Sequence, residues 1–182
     1  MASIMWRRID RTSLERCVLE ATATGHRLAG TVLTVVESVP CEIRYTVIVD
    51  AAWRTTTVGV SVQGTGNDRT LALTTDGTGV WSAGDSPAPD LHGADDVSFG
   101  WTPSTSTIPI RRLALEVGAS AEVPVARIGF PEREVERAVH RYERLAERRY
   151  RLRSGDFQTD LTVNEHGLVT AYPGGWVAEA EE

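Results

Sequence analysis

The chain has 182 residues and a mass of 19.9 kDa, so we predict a single domain over residues 1–182. Apolar residues make up 41% of the chain and charged residues 24%, which is typical of a globular protein and excludes a disordered one. The net charge of −6 argues against a nucleic-acid-binding surface, so no nucleic-acid partner is predicted.

All 19 basic residues are arginines, and the absence of lysine excludes Schiff-base chemistry and a P-loop lysine. Asp10, Arg11 and Glu15 fall where the apolar stretch of a secretory signal would lie. No apolar run approaches the roughly 18 residues that a membrane span needs, so no transmembrane segment is predicted. We therefore expect a cytoplasmic protein.

The N-terminal half is rich in strand patterns. Val58, Val60 and Val62 alternate with small polar residues, which indicates a strand with one buried face. Similar runs end at turn-forming residues. Valine, threonine and isoleucine together make up about a quarter of the chain, which favours strands over helices. We predict antiparallel strands at residues 15–21, 28–36, 42–50 and 54–63.

The centre of the chain predicts an ordered loop and then a further strand. Residues 101–109 are rich in threonine, serine and proline, which favours a loop that crosses the domain. A strand pattern resumes at residues 111–115. If that stretch is a regular strand, Arg111 and Arg112 face opposite sides.

Residues 131–147 predict one amphipathic helix near the C-terminus. Pro131 suits the first position of a helix, and the acidic Glu132 and Glu134 suit its positive end. Apolar residues recur at intervals of three and four, from Val135 to Ala146, with charged residues between them. We expect this helix to pack on the sheet. Residues 157–163 and 168–172 then predict a hairpin.

Few residues point to catalysis. The four histidines are scattered without metal-ligand spacing, and no nucleophile or phosphate-binding motif is present, so no cofactor or metal site is predicted. Cys17 and Cys41 are expected to be reduced core residues. The densest polar loop contains His92, Asp95 and Asp96, and it could supply acid/base groups or form a hydrogen-bonded turn.

Tryptophans and arginines stand out beside the predicted strand ends. Trp53 and Arg54 follow one strand, and Arg111 and Arg112 follow an apolar triplet. Tryptophan offers an apolar body with a polar tip, and arginine binds phosphate or carboxylate in a fork. Around an apolar hollow, these residues would suit a ligand with an apolar chain and a polar head. Core tryptophans and surface arginines would explain the same pattern without a ligand.

The residues Asp96-Val97, Thr102-Pro103, Thr105, Thr107 and the run from Pro109 to Leu113 resemble the central signature of the bacterial putative glycolipid-binding family. The likeness extends to Trp6-Arg7, to the Trp53 region and to the C-terminal strands. The chain departs from the family pattern at a few positions, which are Ala94, Ser98, Ser104, Ser106 and Ala171.

This resemblance implies a mostly β fold, with an antiparallel sheet rolled into a barrel or half-barrel around an apolar cavity. It implies non-catalytic binding of a glycolipid or another lipid-like ligand. The predicted ligand-binding residues are Trp53, Arg54, Asp96, Trp101, Thr107, Arg111 and Arg112. Two alternatives stay open: a scaffold domain that docks a protein partner, and an enzyme that acts on an acylated substrate through the Asp95/Asp96 loop.

Overall fold

Fifteen strands form one continuous sheet in a computed structural model that describes residues 1–64, 68–131 and 134–182. The strands are β1 (Ala2–Arg8), β2 (Ser13–Thr22), β3 (Gly25–Val36), β4 (Val39–Asp50), β5 (Thr55–Gln63), β6 (Arg69–Thr75), β7 (Trp81–Ala83), β8 (Ser86–Pro87), β9 (Asp96–Phe99), β10 (Ser120–Ile128), β11 (Val135–Ala146), β12 (Arg149–Ser154), β13 (Phe157–Val163), β14 (Val169–Tyr172) and β15 (Trp176–Glu181). One helix, α1 (Thr107–Leu113), follows a 3₁₀ turn at Ser104–Ser106, and another 3₁₀ turn spans Pro89–Leu91.

The sheet has the strand order β8 to β1 followed by β15 to β9. Every pair is antiparallel except β9 with β10, which run parallel. Among the described residues, β8 and β9 are the two edges of the sheet. The mostly β prediction is confirmed, and of the predicted barrel or half-barrel the closed barrel is wrong. Strand β1 joins the two halves because it pairs with both β2 and β15.

The four predicted N-terminal strands are present; β2, β3 and β4 are longer than predicted, and β5 begins one residue later than predicted. Alternation places Val58, Val60 and Val62 on the buried face of β5, as predicted. The hairpin of β13 and β14 is also confirmed. Cys17 and Cys41 are both free and buried, in agreement with the prediction of reduced core residues. The turn around residues 65–67 lies outside the described residues.

The prediction of a helix at residues 131–147 is wrong, because most of this segment is strand β11. Its pattern also satisfies a strand: Ala138, His140 and Tyr142 face inward, whereas Val139 is exposed. Strand β10 pairs with one side of β11 and β12 with the other, and this tertiary context overrides the helical periodicity. Glu132 lies outside the described residues.

The central loop and the strand predicted at residues 111–115 are also corrected. Residues 104–106 form a 3₁₀ turn, and Arg111 and Arg112 belong to helix α1 rather than to a strand. The helix ends at Ala114, which takes the left-handed conformation at φ 43°. The chain's one described helix is therefore central and short, not close to the C-terminus.

The edge strand β9, the 3₁₀ turn at Ser104–Ser106 and α1, which together we call the central segment, pack against the buried side chains of the other strands. They occupy part of the hollow that the sequence predicted. Val97, Phe99 and Ile108 share one apolar cluster with the inward side chains of β1 to β7. Ile110, two residues later on α1, belongs to a second cluster formed mainly by β10 to β14. The helix thus separates two cores. No described helix is long and apolar enough to cross a membrane.

Two glycines in the N-terminal half of the sheet, one on β3 and one on β5, provide a matched test of this packing. A Cβ at Gly30 would collide with the phenol ring of Tyr45, whereas a Cβ at Gly59 would meet nothing within 4 Å. We expect Gly30→Ala to lower the free energy of unfolding by about 1–3 kcal/mol through overpacking. Gly59→Ala should be neutral or slightly stabilising because alanine restricts the unfolded chain.

Urea denaturation of both variants and the parent protein measures this difference. Equal stability of the two variants would contradict the close approach of Tyr45 to Gly30.

Candidate functional site

A cavity of about 640 Å³ lies between the central segment and the C-terminal half of the sheet. It opens at the end of the sheet where β1 ends and β15 begins, since Arg8 pairs with Trp176 across those strands and both line it. The turn between β12 and β13 lies at the same end. The lining residues are Arg8, Ser98, Phe99, Gly100, Thr102, Thr105, Ser106, Arg127, Glu136, Ala138, His140, Leu152, Ser154, Gly155, Phe157, Tyr172, Pro173, Gly174, Gly175 and Trp176.

The most buried polar lining residues carry no formal charge at neutral pH. They are three hydroxyl residues and one imidazole, and we call them the polar floor: Thr102, Thr105, Ser106 and His140. All four are less than 8% exposed. The Thr105 hydroxyl accepts a hydrogen bond from the Phe99 amide at 3.0 Å, which fixes the 3₁₀ turn against the end of β9.

The outer part of the cavity, its mouth, is charged and aromatic. Arg127 and Glu136 face each other across β10 and β11 and form an ion pair of 2.6 Å. Phe157 is 48% exposed and stacks on Tyr172 with 6.2 Å between ring centroids. The Arg8 guanidinium lies 5.5 Å from the Trp176 ring centroid. The charged groups of the cavity therefore lie toward solvent.

His140 is neutral at physiological pH. Burial, together with the nearby charge of Arg127, lowers its pKa to about 4. Its Nδ1 atom is buried and has no hydrogen-bond partner among the described residues. A buried polar atom without a partner is costly.

A buried carboxyl supports the floor from behind. Glu15 Oε1 accepts a hydrogen bond from the Thr102 hydroxyl at 2.7 Å and another from the Tyr45 phenol. Burial raises the pKa of Glu15 to about 7, although both hydrogen bonds oppose the rise. The Thr102 hydroxyl also accepts a hydrogen bond from the Ser104 amide, so this network ties β2 and β4 to the cavity wall.

Of the predicted ligand-binding residues, Trp53 and Arg111 come together at the opposite end of the sheet. Trp53 occupies the β4–β5 turn at φ 63°, and its amide donates to the Asp50 carbonyl at 3.0 Å. Its ring stacks on His26 at 4.2 Å, and the Arg111 guanidinium lies 5.3 Å from the ring centroid. Arg54 is exposed beside them. None of these residues lines the large cavity.

Asp96 and Arg112 form a buried ion pair rather than an open binding site. Both Nε and Nη2 of Arg112 donate to Asp96 Oδ2, at 3.1 and 2.8 Å. Burial raises the pKa of Asp96 to about 6, and Arg112 opposes this rise. Thr107, at the start of α1, is fully buried and does not line the large cavity.

Trp101 lines a second, smaller cavity of about 180 Å³ on the other side of β9. Its ring stacks on Phe99 at 4.7 Å and meets Tyr45 edge to face. The remaining walls of this cavity are mostly apolar, with Ile43, Val60 and others from β4 to β6. Trp101 therefore lines a different cavity from the polar floor, although it directly precedes Thr102 in the chain.

The acidic loop does not assemble a catalytic group around its histidine. Asp95 and Asp96 share Arg112, since Asp95 lies 3.7 Å from its Nη2 atom. The His92 side chain is exposed and forms no hydrogen bond within the described residues. Across residues 1–64, 68–131 and 134–182, no cluster of three acidic, histidine or cysteine side chains could hold a metal ion.

The sequence interpretation missed the large cavity because most of its walls come from segments assigned to other elements. His140 and Ala138 lie in the segment predicted as a helix, and Ser106 lies in the predicted loop. One signal pointed there: Ser98 and Ser106, where the chain departs from the family pattern, both line the cavity.

The adjacent arginines of α1 provide one test. Arg112→Met leaves the Asp96 carboxylate buried without its partner, and we expect a loss of about 3–5 kcal/mol of stability. Arg111→Met removes only an exposed contact over Trp53, so a loss below about 1 kcal/mol is expected. Thermal or urea unfolding measures both. A smaller loss for Arg112→Met than for Arg111→Met would contradict this assignment.

Glu15 provides a second test through the pH dependence of stability. Its pKa is higher in the folded state, so the native protein holds a proton that the unfolded chain releases between about pH 4.5 and 7. This contribution to stability is fully present at low pH and is lost as the pH rises, with a total near 3 kcal/mol. Glu15→Gln should remove this part of the pH dependence in urea titrations at several pH values. If the free energy of unfolding of Glu15→Gln depends on pH as it does in the parent protein, other groups cause this pH dependence.

The comparisons with known proteins agree with this fold. A crystal structure of a DUF1089 family protein from Pseudomonas aeruginosa superposes with a TM-score of 0.82 at 30% sequence identity, with 92% of each chain covered. No curated protein matches the sequence. The family model described as "Putative glycolipid-binding" matches residues 3–178, so the chain belongs to that family.

Proposed function

We propose that the protein binds an amphipathic ligand, a glycolipid or a related lipid, in the 640 Å³ cavity without catalysing its conversion. The single observation that carries this proposal is the cavity itself. Its volume lies within the range of about 300–1,000 Å³ that is usual for small-molecule sites. It also opens to solvent at one end of the sheet, where a ligand can enter.

The lining supports a ligand of mixed character. Aromatic and aliphatic side chains such as Phe99, Leu152 and Trp176 alternate with hydroxyl groups and an imidazole. An apolar chain transferred from water contributes about 0.8 kcal/mol for each buried methylene. The polar floor then supplies orientation through hydrogen bonds.

The family description and the likeness to the DUF1089 protein support a binding role and name no reaction. The described acidic loop offers an ion pair with Arg112 instead of an acid/base pair. We therefore favour binding over the enzymatic alternative. The cytoplasmic location and the single domain over residues 1–182 stay predictions of the sequence.

Native mass spectrometry after incubation with a mixed bacterial lipid extract tests the proposal. Wild type should retain a lipid in a one-to-one adduct. Ala138→Trp places a large ring in the cavity wall, and we expect its adduct to fall at least about tenfold. Ala29→Trp is the matched control: Ala29 is also half-buried, but it lies on the opposite face of β3 to Leu28 and lines neither cavity.

Trp53→Ala and Arg111→Ala test the site predicted from the sequence in the same experiment. Both should bind as wild type does, because neither residue lines the cavity. Loss of the adduct in these two variants, with full binding by Ala138→Trp, would move the site to the other end of the sheet. A wild-type protein that retains no lipid at all would overturn the binding function.

A further inference from the structure

The outer face of strands β1 to β3, opposite their buried face, carries an exposed apolar patch. Its side chains are 39–54% exposed, and they are Met5, Leu14, Leu33 and Val35. All four point away from the core, since successive strand residues alternate between the two faces of a sheet. Leu14 and Leu33 are directly opposite each other on neighbouring strands, so the patch is continuous. A continuous exposed apolar patch marks an interaction surface.

Through the centre of this patch runs a row of four outward side chains, one from each of β1 to β4. The strand register pairs each with the next, in the order Arg7, Leu14, Leu33 and Glu42. Neighbouring strands lie about 4.8 Å apart, so the row is about 14 Å long. It has a cation at one end, an anion at the other and two leucines between them. We call it the Arg7–Glu42 row.

The Arg7–Glu42 row is complementary to itself under a twofold rotation. The axis runs parallel to the strands, between Leu14 and Leu33, in the plane between two facing sheets. It places Leu14 of one copy over Leu33 of the other. The same rotation places Arg7 of each copy over Glu42 of the other. Two identical faces related in this way form an isologous interface, which is the commonest kind in soluble homo-oligomers.

The next row of outward side chains is compatible with the same axis. Its cross-strand order is Met5, Arg16, Thr31 and Arg44. The rotation places Arg16 over Thr31 and Met5 over Arg44, so no two like charges face each other. An axis along the rows would instead place each arginine on its own copy. The charge pattern therefore favours one relative orientation of the two sheets.

Both charged ends of the Arg7–Glu42 row are already neutralised within one chain. Arg7 Nε lies 2.7 Å from Glu179 Oε1, and Arg44 Nε lies 2.6 Å from Glu42 Oε1. Across the axis, the first pair of one copy meets the second pair of the other. Four charges of alternating sign then form a network at each end of the row, and no charge is buried without a partner.

We propose that two copies of this protein form a twofold-symmetric dimer through the outer face of β1 to β4. Leu14 and Leu33 lie at the centre of the interface, and Arg7 of each copy pairs with Glu42 of the other. The dimer goes beyond the proposed binding function and does not depend on it, because these side chains point away from the buried face and line neither cavity.

Sedimentation velocity at a series of protein concentrations tests the dimer. Wild type should reach twice the 19.9 kDa mass of one chain. Leu33→Asp places a carboxylate at the centre of the interface, so the dissociation constant should rise at least about tenfold. Val139→Asp is the matched control and should dimerise as wild type does, because Val139 is also exposed on an outer face, that of β11. A monomeric wild type, or equal dissociation constants for the two variants, would overturn the proposal.

Charge reversal tests the orientation of the two copies. Arg7→Glu and Glu42→Arg each place like charges across the axis, so each variant alone should dimerise at least about tenfold more weakly than wild type. An equimolar mixture of the two should form a heterodimer, because both of its cross-copy contacts then join a carboxylate to a guanidinium. A charge pair within one chain is not restored by mixing. A mixture that stays monomeric, or single variants that dimerise as wild type does, would overturn the Arg7–Glu42 pairing.

Discussion

An open sheet can bury its apolar face only if something covers it, and in this protein the cover is the chain's own central segment. Strand β9, the 3₁₀ turn and α1 lie against strands that come before and after them in the sequence. On α1, Ile108 packs into one core and Ile110 into the other. Because a helix turns by about 100° per residue, positions two apart face nearly opposite sides, and seven residues suffice to serve both cores.

The central segment carries polar side chains that become buried when it covers the sheet. Their hydrogen-bond and ion-pair partners fix the position of the segment. The Asp96–Arg112 pair joins the start of β9 to α1. Glu15 joins β2 to Thr102, which lies in the middle of the segment. Breaking either contact leaves a buried group without its partner, which costs more than the net gain from forming it. The large cavity is the space that this segment leaves against β10 to β15. The three hydroxyl residues of its polar floor come from the same segment, and the fourth floor residue, His140, comes from β11.

Local sequence patterns predicted the hairpins well because each depends on residues that are close in the chain. In β2 to β5, alternation and nearby turn residues give the faces and the ends of the strands. In two segments the local pattern gave a wrong secondary-structure prediction. Residues 135–146 satisfy both the helical and the alternating pattern, and residues 107–113 form a helix too short to show a clear period. The Trp53–Arg111 contact followed the expected chemistry, but Asp96, Trp101 and Thr107 do not lie with it.

The mostly β character, the buried faces of the N-terminal strands, the free cysteines and the family could be predicted from composition, alternation and motif. The open sheet, the strand at Val135–Ala146 and the position of the cavity beside His140 rather than Trp53 could not be predicted in this way. Each of these depends on which distant segments meet. Strand β11 is a strand because β10 and β12 pair with it, and the cavity exists because the central segment fills one half of the sheet more completely than the other.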